Sequence, residues 1–366
     1  MDTTDPNITF DARGWCDHCR NFHDNIRPRW HPDEEGRTQL ESIAERIRRD
    51  GRGRDYDCLI GISGGVDSSY VTHVARVKMG LRPLILHVDA GWNTQEAVNN
   101  IERVVTRLGL DLHTEVIDWQ EMKDLQLAFL RAQVPHVDTP QDHAFFGTLY
   151  RYAAANGFRY IVTGSNFSTE CVREPWAWHY TAMDVRQINA IHSRFGRRKL
   201  RSFPLISPFR YKLYYGLVRG MQVVKPLNLV PYVRAEAIRT LEGEYGWQPY
   251  GHKHYESRFT RFCEGYYLPT KFGFDKRRAH FSSQVLSGQM TRDEALERIA
   301  QPACDRETAE KDLHYVAKKL GLSASELQAL MQGENRSFED YESMAAFFRL
   351  GLVFLRWTGR STVLKR

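Results

Sequence analysis

Cys58-Leu59-Ile60-Gly61-Ile62 runs directly into Ser63-Gly64-Gly65-Val66-Asp67-Ser68-Ser69. The first five residues are a short apolar run between turn signals, the pattern of a buried strand. A stretch with helical spacing follows, from Tyr70 to Lys78. A strand that ends in a glycine bend and opens a helix makes an anion site. The glycines let backbone approach the ligand, and free N–H groups and the helix dipole face it. Ser63, Ser68 and Ser69 add hydroxyl donors around Gly64 and Gly65. Asp67 is an acid where phosphate is expected, which fits a carboxylate that carries Mg²⁺.

The bend is not a Walker loop, because no lysine follows the glycines, and it is not Gly-x-Gly-x-x-Gly. Ser-Gly-Gly-x-Asp-Ser resembles the PP-loop of the ATP pyrophosphatases. That resemblance implies cleavage of ATP to AMP and pyrophosphate, with AMP passing to a substrate oxygen. A glycine turn before an ordinary helix is the plain alternative.

Outward from this loop, strand and helix patterns alternate. Pro83–Val88, Leu112–Ile117 and Tyr160–Thr163 read as strands, and Val223–Leu227 as a short last one. Thr94–Leu108 with Thr94 as N-cap, Trp119–Gln133 and Gln141–Ala155 read as helices, the last stopped by Gly157. Such alternation predicts an α/β fold, a doubly wound parallel sheet with ligands at the carboxyl ends of its strands. Residues 176–222 read as irregular, aromatic and basic. The division expected is an N-terminal segment with a cysteine pair at 1–50, with helix only from about Arg37 to Asp50, a nucleotide-binding domain at 51–232, and a mostly helical substrate or partner domain at 233–366.

Composition narrows the class. The 366 residues are 42% hydrophobic and 26% charged, as in a globular protein with a large core. A net charge of +6 suits an anionic ligand without implying nucleic acid. Six cysteines in so long a chain do not make a disulfide scaffold, the opening Met1-Asp2-Thr3-Thr4-Asp5 is not a signal peptide, and no apolar run spans a bilayer. A cytoplasmic protein is therefore expected. Met344–Trp357 reads as a packed C-terminal helix or a subunit contact, hence a homo-oligomer, in preference to a membrane-surface helix whose polar face would be too thin.

Further candidate groups flank the loop. His87 and Asp89 end the second strand, where PP-loop enzymes cradle adenosine; Asp89 reads equally well as a cap of the following helix. Gly164 and Glu170 follow the fourth strand, with Gly164 permitting close approach and Glu170 completing a Mg²⁺ shell with Asp67. Arg197, Arg198 and Lys199 sit in a basic run that reads as a diphosphate or carboxylate clamp, as an RNA contact, or as a solvated loop. Lys253, His254 and Glu256 belong to a polar cluster beside aromatics. Cys16 and Cys19 have zinc-knuckle spacing, two of the four ligands that a structural site takes.

Several segments together resemble the N-acetyl sugar amidotransferase family, the WbpG-like PP-loop proteins of bacterial surface polysaccharide synthesis. They include Asp5-Pro6-Asn7 with the Cys16/Cys19 pair, the Ser63–Ser68 loop, Gly164 to Glu170 and Lys225-Pro226-Leu227-Asn228. They continue with Lys253-His254-Tyr255-Glu256-Ser257, Phe272 to Arg278, and Ser287 to Arg292. The family pattern carries another cysteine pair ahead of Asp5 that this sequence lacks, so a full zinc set is not implied. The resemblance implies an ATP- and Mg²⁺-dependent enzyme of O-antigen synthesis that turns the acetamido group of a UDP-linked N-acetyl sugar into an acetamidino group. The pathway it points to uses a UDP-linked diacetamido uronic acid. Ammonia would come from a separate glutaminase–cyclase-like pair, since no nucleophilic leading cysteine is present. Under that reading Lys253 is the cation at the leaving group, His254 and Glu256 carry protons, and Arg197, Arg198 and Lys199 meet the sugar's anionic groups. A tRNA-modifying PP-loop enzyme, with Cys171 near the Gly164 segment, and a nucleotide sensor that does not cleave ATP are the rival expectations.

Overall fold

The computed structural model describes residues 1–250 and 255–357, with side chains through residue 351. Five strands form one parallel sheet: β1 (Cys58–Ile62), β2 (Pro83–Asp89), β3 (Leu112–Val116), β4 (Tyr160–Val162) and β5 (Gln222–Val224). Their order is β3-β2-β1-β4-β5, which places β1 at the centre and reverses direction between β1 and β4. A crevice opens at the carboxyl end of such a switch point. Register aligns Ile60 with Ile85 on one side and with Val162 on the other. This is the doubly wound parallel sheet expected from the alternating pattern.

Both faces are covered. One core joins the helices Glu34–Asp50, Val66–His73 and Gln95–Leu108 to Ile60, Ile85 and Val162. The other joins Trp119–Arg131, Thr139–Ala155 and Val185–Phe195 to Leu59, Leu86 and Ile161. Each fully buried aliphatic side chain in these layers contributes about 1.5–3 kcal/mol. Leu59, Ile85 and Leu86 are fully enclosed between the layers.

The sequence reading places most of these elements within a residue or two. The loop helix starts at Val66 rather than Tyr70, and the helix ending at Asp50 starts at Glu34, capped by the Asp33 carboxylate on the Gly36 N–H at 3.2 Å. The expected last strand stops at Val224, because Pro226 opens a short 3₁₀ turn instead. Within 176–222, read as irregular, lies the helix Val185–Phe195, capped by Asp184. The helix Arg234–Tyr245, beyond the expected boundary at 232, supplies Ala237, Leu241 and Tyr245 to the first core.

A third core carries the rest of the chain. The helices Arg258–Phe262, Leu268–Phe272, Arg306–Leu320 and Ala324–Met331 pack against Trp92, Leu127 and Leu130. The N-terminal segment brings Phe22, Ile26 and Trp30 against Cys171, Val172 and Ala279. Both therefore converge on the carboxyl end of the sheet. The helix Ala345–Trp357 docks through Ala345 and leaves Phe347 and Leu350 exposed. Among the described residues no helix is long and apolar enough to cross a membrane.

Candidate active site

The Ser63–Ser69 bend leaves the end of β1 under tight constraint. Gly64 has φ +86°, and a Cβ there would meet the Ala97 carbonyl oxygen at 2.6 Å. Its own carbonyl accepts the Trp247 indole N–H at 3.0 Å and the Tyr250 hydroxyl. The Ser63 N–H donates to Ser68 Oγ at 3.2 Å, which in turn donates to the Gly65 carbonyl at 3.1 Å. The helix opening at Val66 has Gly65 as N-cap and receives no side-chain cap. Its first-turn N–H groups and dipole thus remain for an anion.

Ser63, Gly65, Asp67 and Ser68 line a cavity of about 520 Å³. Gly64 stays behind it, and Ser69 is fully buried with its Oγ unpartnered among the described residues. Gly164, Ser165 and Glu170 form the β4 side of the same cavity. A Cβ on Gly164 would lie 2.6 Å from the Asp67 carbonyl, so this glycine is where the end of β4 touches the loop. Asp67 accepts the Tyr232 hydroxyl; burial, and then the Asp67 charge, hold that phenol well above its ordinary pKa. Asp67 and Glu170 facing one cavity beside an uncapped helix fit a shared Mg²⁺, with phosphate oxygens supplying further ligands. Among the described residues no set of three or more His, Cys, Asp or Glu is grouped as a metal site by the protein alone.

The cavity is also walled by a titratable cluster, of which the sequence points to the polar segments 253–262 and 271–280, holding Thr260 and Lys276, as a site wall, but not to their grouping with Asp138, Asp142, Glu174, His179 and Glu264. Lys276 Nζ lies 3.0 Å from Glu174 and 2.9 Å from Glu264. His179 approaches Asp142 at 3.5 Å, and Asp138 accepts the Thr260 hydroxyl at 2.7 Å. Burial alone would depress the Lys276 ammonium, but Glu174 and Glu264 raise it well above its usual value. Burial pushes Glu264 up to about 7 against the pull of Lys276. It pushes Asp138 up to about 6, and it lowers His179 to about 4. The Lys276 charge holds Glu174 below the usual carboxylate range despite its burial, so the cluster sets one firmly held cation beside one ionised carboxylate and two carboxyls, Glu264 and Asp138, raised toward neutrality, an arrangement suited to moving protons. Its members come from segments up to 138 residues apart, joined only by folding.

The other candidates are placed as follows. Glu256 reaches the loop: its carboxylate accepts the Ser63 hydroxyl at 3.1 Å, while its carbonyl accepts the Thr94 N–H at 2.9 Å. Lys253 and His254 lie outside the described residues. His87 lines the cavity, its ring held between the Ile62 carbonyl and Asn93 at 3.0 Å each. Asp89 does not line it. Its carboxylate accepts the Gly91 N–H at 2.7 Å and Asn93 at 3.2 Å, shaping the turn after β2. The helix that follows is capped by Thr94.

Arg197, Arg198 and Lys199 are exposed and stand away from the cavity lining. The Arg197 and Arg198 backbone N–H groups donate to Asp124 at 2.9 and 3.0 Å, so the run is held by its main chain while its charges project outward. Cys16 and Cys19 sit at the N-terminus of a five-residue helix with their sulfurs 3.3 Å apart. The Cys19 thiol hydrogen bond pulls Cys16 down to about 5. The pair could supply two thiolate ligands, and no further His, Cys, Asp or Glu joins it among the described residues.

Residues 256–353 match the model of the LPS biosynthesis protein WbpG-like C-terminal domain. A stretch of 143 residues is 26% identical to an uncharacterized protein, MJ1599, of Methanocaldococcus jannaschii, covering 38% of this chain and 50% of that protein. The match therefore spans about half the length of that curated relative. Among solved structures, an NH3-dependent NAD synthetase from Campylobacter jejuni aligns over 57% of this chain and 83% of its own, with 15% identity and a TM-score of 0.30. An NMN synthetase from Francisella tularensis aligns over 61% of this chain and 98% of its own, with 16% identity and a TM-score of 0.30. Scores that low leave the fold resting on strand order and loop geometry.

Proposed function

We propose that this chain, whose resemblance to WbpG-like PP-loop proteins is borne out over residues 256–353, is an ATP-dependent amidating enzyme that forms AMP and pyrophosphate. Its acceptor is the acetamido group of a UDP-linked N-acetyl sugar, a diacetamido uronic acid, and its product is the acetamidino sugar. The observation that carries this reading is one shared cavity. The glycine loop after β1 forms one wall, and Glu256, Thr260, Glu264 and Lys276, all within the WbpG-like segment, form another. An ATP site and an acceptor-side cluster thus face each other at the distance scale of a single ligand pocket.

An amide carbonyl is a weak electrophile with a poor leaving oxygen. Attack of that oxygen on the α-phosphorus of ATP, with departure of pyrophosphate and loss of the amide N–H proton, gives an O-adenylyl imidate. Ammonia then adds to its carbon, AMP leaves with the former carbonyl oxygen, and one proton is released. Backbone N–H groups at the start of the Val66 helix, with the Ser63 and Ser68 hydroxyls, would hold the pyrophosphate end. Asp67 and Glu170 would hold Mg²⁺, which offsets charge on the phosphates when bound. The carboxyls beside Lys276 would take the proton released as ammonia adds, since Glu264 and Asp138 titrate at about 7 and about 6. Ammonia enters from a separate supplier.

Mass spectrometry tests the reading. Incubation with ATP, Mg²⁺, ammonium and the UDP-linked diacetamido uronic acid should lower the sugar's mass by about one dalton, as NH replaces O after attack on the activated acyl group. Pyrophosphate should appear in equal amount, and ¹⁵N-ammonium should enter the product without a partner protein. A strict requirement for glutamine, or pyrophosphate release only with tRNA present, would overturn it.

A further inference from the structure

A second cleft, of about 390 Å³, opens on the far side of Glu170 and shares Ser165, Glu170, Glu174 and His179 with the reacting cavity. None of the Ser63–Ser69 loop residues lines it. Two cations do: Arg173, just after the short helix that follows β4, and Lys225, at the end of β5. Both are exposed on one side and walled by protein on the others. Neither makes a side-chain hydrogen bond or ion pair among the described residues. Loss of hydration lowers the pKa of each, and the Arg173 charge lowers Lys225 further; only Glu170 acts in the other direction. Arg173 and Lys225 line one cleft with Glu170 and with Glu174, and since Glu174 is already paired with Lys276 the two cations remain ligands for a dianion.

The backbone around them is pinned. Asn166 Oδ1 accepts the Thr169 N–H at 2.9 Å, and Asn228 Oδ1 accepts the Phe167 N–H at 2.7 Å, tying the segment after β4 to the turn after β5. The two cations are therefore carried by a fixed frame, and unlike Arg197, Arg198 and Lys199 they line a cleft.

We infer that this cleft is the subsite for the diphosphate of the nucleotide-linked acceptor, with Arg173 and Lys225 as its anion ligands. The inference rests on the acceptor reading above. A diphosphate there would leave the attached sugar to enter the reacting cavity past Glu170 and His179, which border both spaces. The same chemistry could serve the pyrophosphate end of ATP, and the test separates the two sources.

Isothermal titration with UDP alone reads the cleft without turnover. The double variant Arg173→Met, Lys225→Met should bind UDP at least tenfold more weakly than the wild type. It should bind a non-hydrolysable ATP analogue as tightly as before and keep the wild-type circular dichroism melt. Lys225→Arg alone should hold UDP affinity within about threefold, since charge and donor are kept. Unchanged UDP affinity in the double variant, or a wild type that does not bind UDP, would overturn the inference. Loss of ATP-analogue binding with UDP binding intact would overturn it too, and would give the cleft to ATP. Failure of the amidation reading shows separately, as UDP binding that depends on both residues without acceptor-dependent pyrophosphate release.

Discussion

Replacing Gly164 with alanine probes the closest approach in the site. The added methyl carbon would stand 2.6 Å from the carbonyl carbon and oxygen of Asp67 and 3.0 Å from the Ser68 nitrogen. All three are backbone atoms in the first turn of the Val66 helix, so no side chain can swing aside. Going from 2.6 Å to an ordinary contact at 3.4 Å requires the end of β4 and the loop to part by about 0.8 Å. Overpacking of this kind costs about 1–3 kcal/mol in stability. A misplacement near 1 Å from reacting geometry costs about 10²-fold in rate. Gly164→Ala should therefore lose roughly two orders of magnitude in ATP–pyrophosphate exchange while its melting temperature falls by only a few degrees. Gly243→Ala is the control: it lies in the helix Arg234–Tyr245 with nothing within 4 Å of the new Cβ, and should gain about 0.5–1 kcal/mol with exchange unchanged. Wild-type exchange and nucleotide affinity in Gly164→Ala would refute the claim that this contact sets the loop against β4.

Asp67→Asn, which keeps an acceptor for Tyr232, should cut AMP formation by at least about 10²-fold and leave the fold intact by circular dichroism; AMP formation at the wild-type rate would remove Asp67 from the chemistry. Glu264→Gln addresses linkage: burial raises this carboxyl to about 7, so its protonated form favours the folded state, and its contribution is full below its ordinary pKa near 4.5 and is lost as pH rises toward 7. The variant should flatten the fall in the urea midpoint between those pH values, whereas a slope equal to the wild type's would place the titration elsewhere in the cluster. Asp312 accepts Arg258 at 2.9 Å and Arg261 at 2.6 Å while almost fully buried, so Asp312→Ala strands two cations and should cost about 3 kcal/mol in chemical denaturation; a loss below about 0.5 kcal/mol would show that the pairs are replaced by water.

What the sequence discloses follows from how local each signal is. β1, the glycine bend and the N-cap at Thr94 are written in consecutive residues, and all three are found where expected. Gly164 and Glu170 were legible because they follow a recognisable strand. The segment around Lys276 stands out as a polar, aromatic stretch that suggests a site wall, but its partners do not, because Asp138, Glu174 and Glu264 are each an ordinary charge in an ordinary segment until folding assembles them. The basic run at Arg197, Arg198 and Lys199 falls on the solvated-loop side of its three readings. Its density of charge is conspicuous in sequence, yet Glu121 and Asp124 engage its backbone N–H groups and leave the side chains outside the site.

The division of labour between the two halves of the cavity explains why the loop by itself cannot specify an acceptor. A glycine bend at the end of β1 offers backbone donors and a dipole, which recognise phosphate and little else. Discrimination between an acetamido sugar, a nucleoside or a peptide must come from what faces the bend, and here those groups are carried by Glu256, Thr260, Glu264 and Lys276. The helical stretch that carries Thr260 and Glu264 is fixed against Trp92, which follows β2, and against the helix Trp119–Arg131. Main-chain bonds from the Arg258 N–H to the Trp92 carbonyl and from the Thr94 N–H to the Glu256 carbonyl, both at 2.9 Å, stitch the same segment to the end of β2. On the function proposed above, the two walls of the cavity are thus held in register by the sheet itself, the condition under which positioning rather than a covalent group can supply most of the rate.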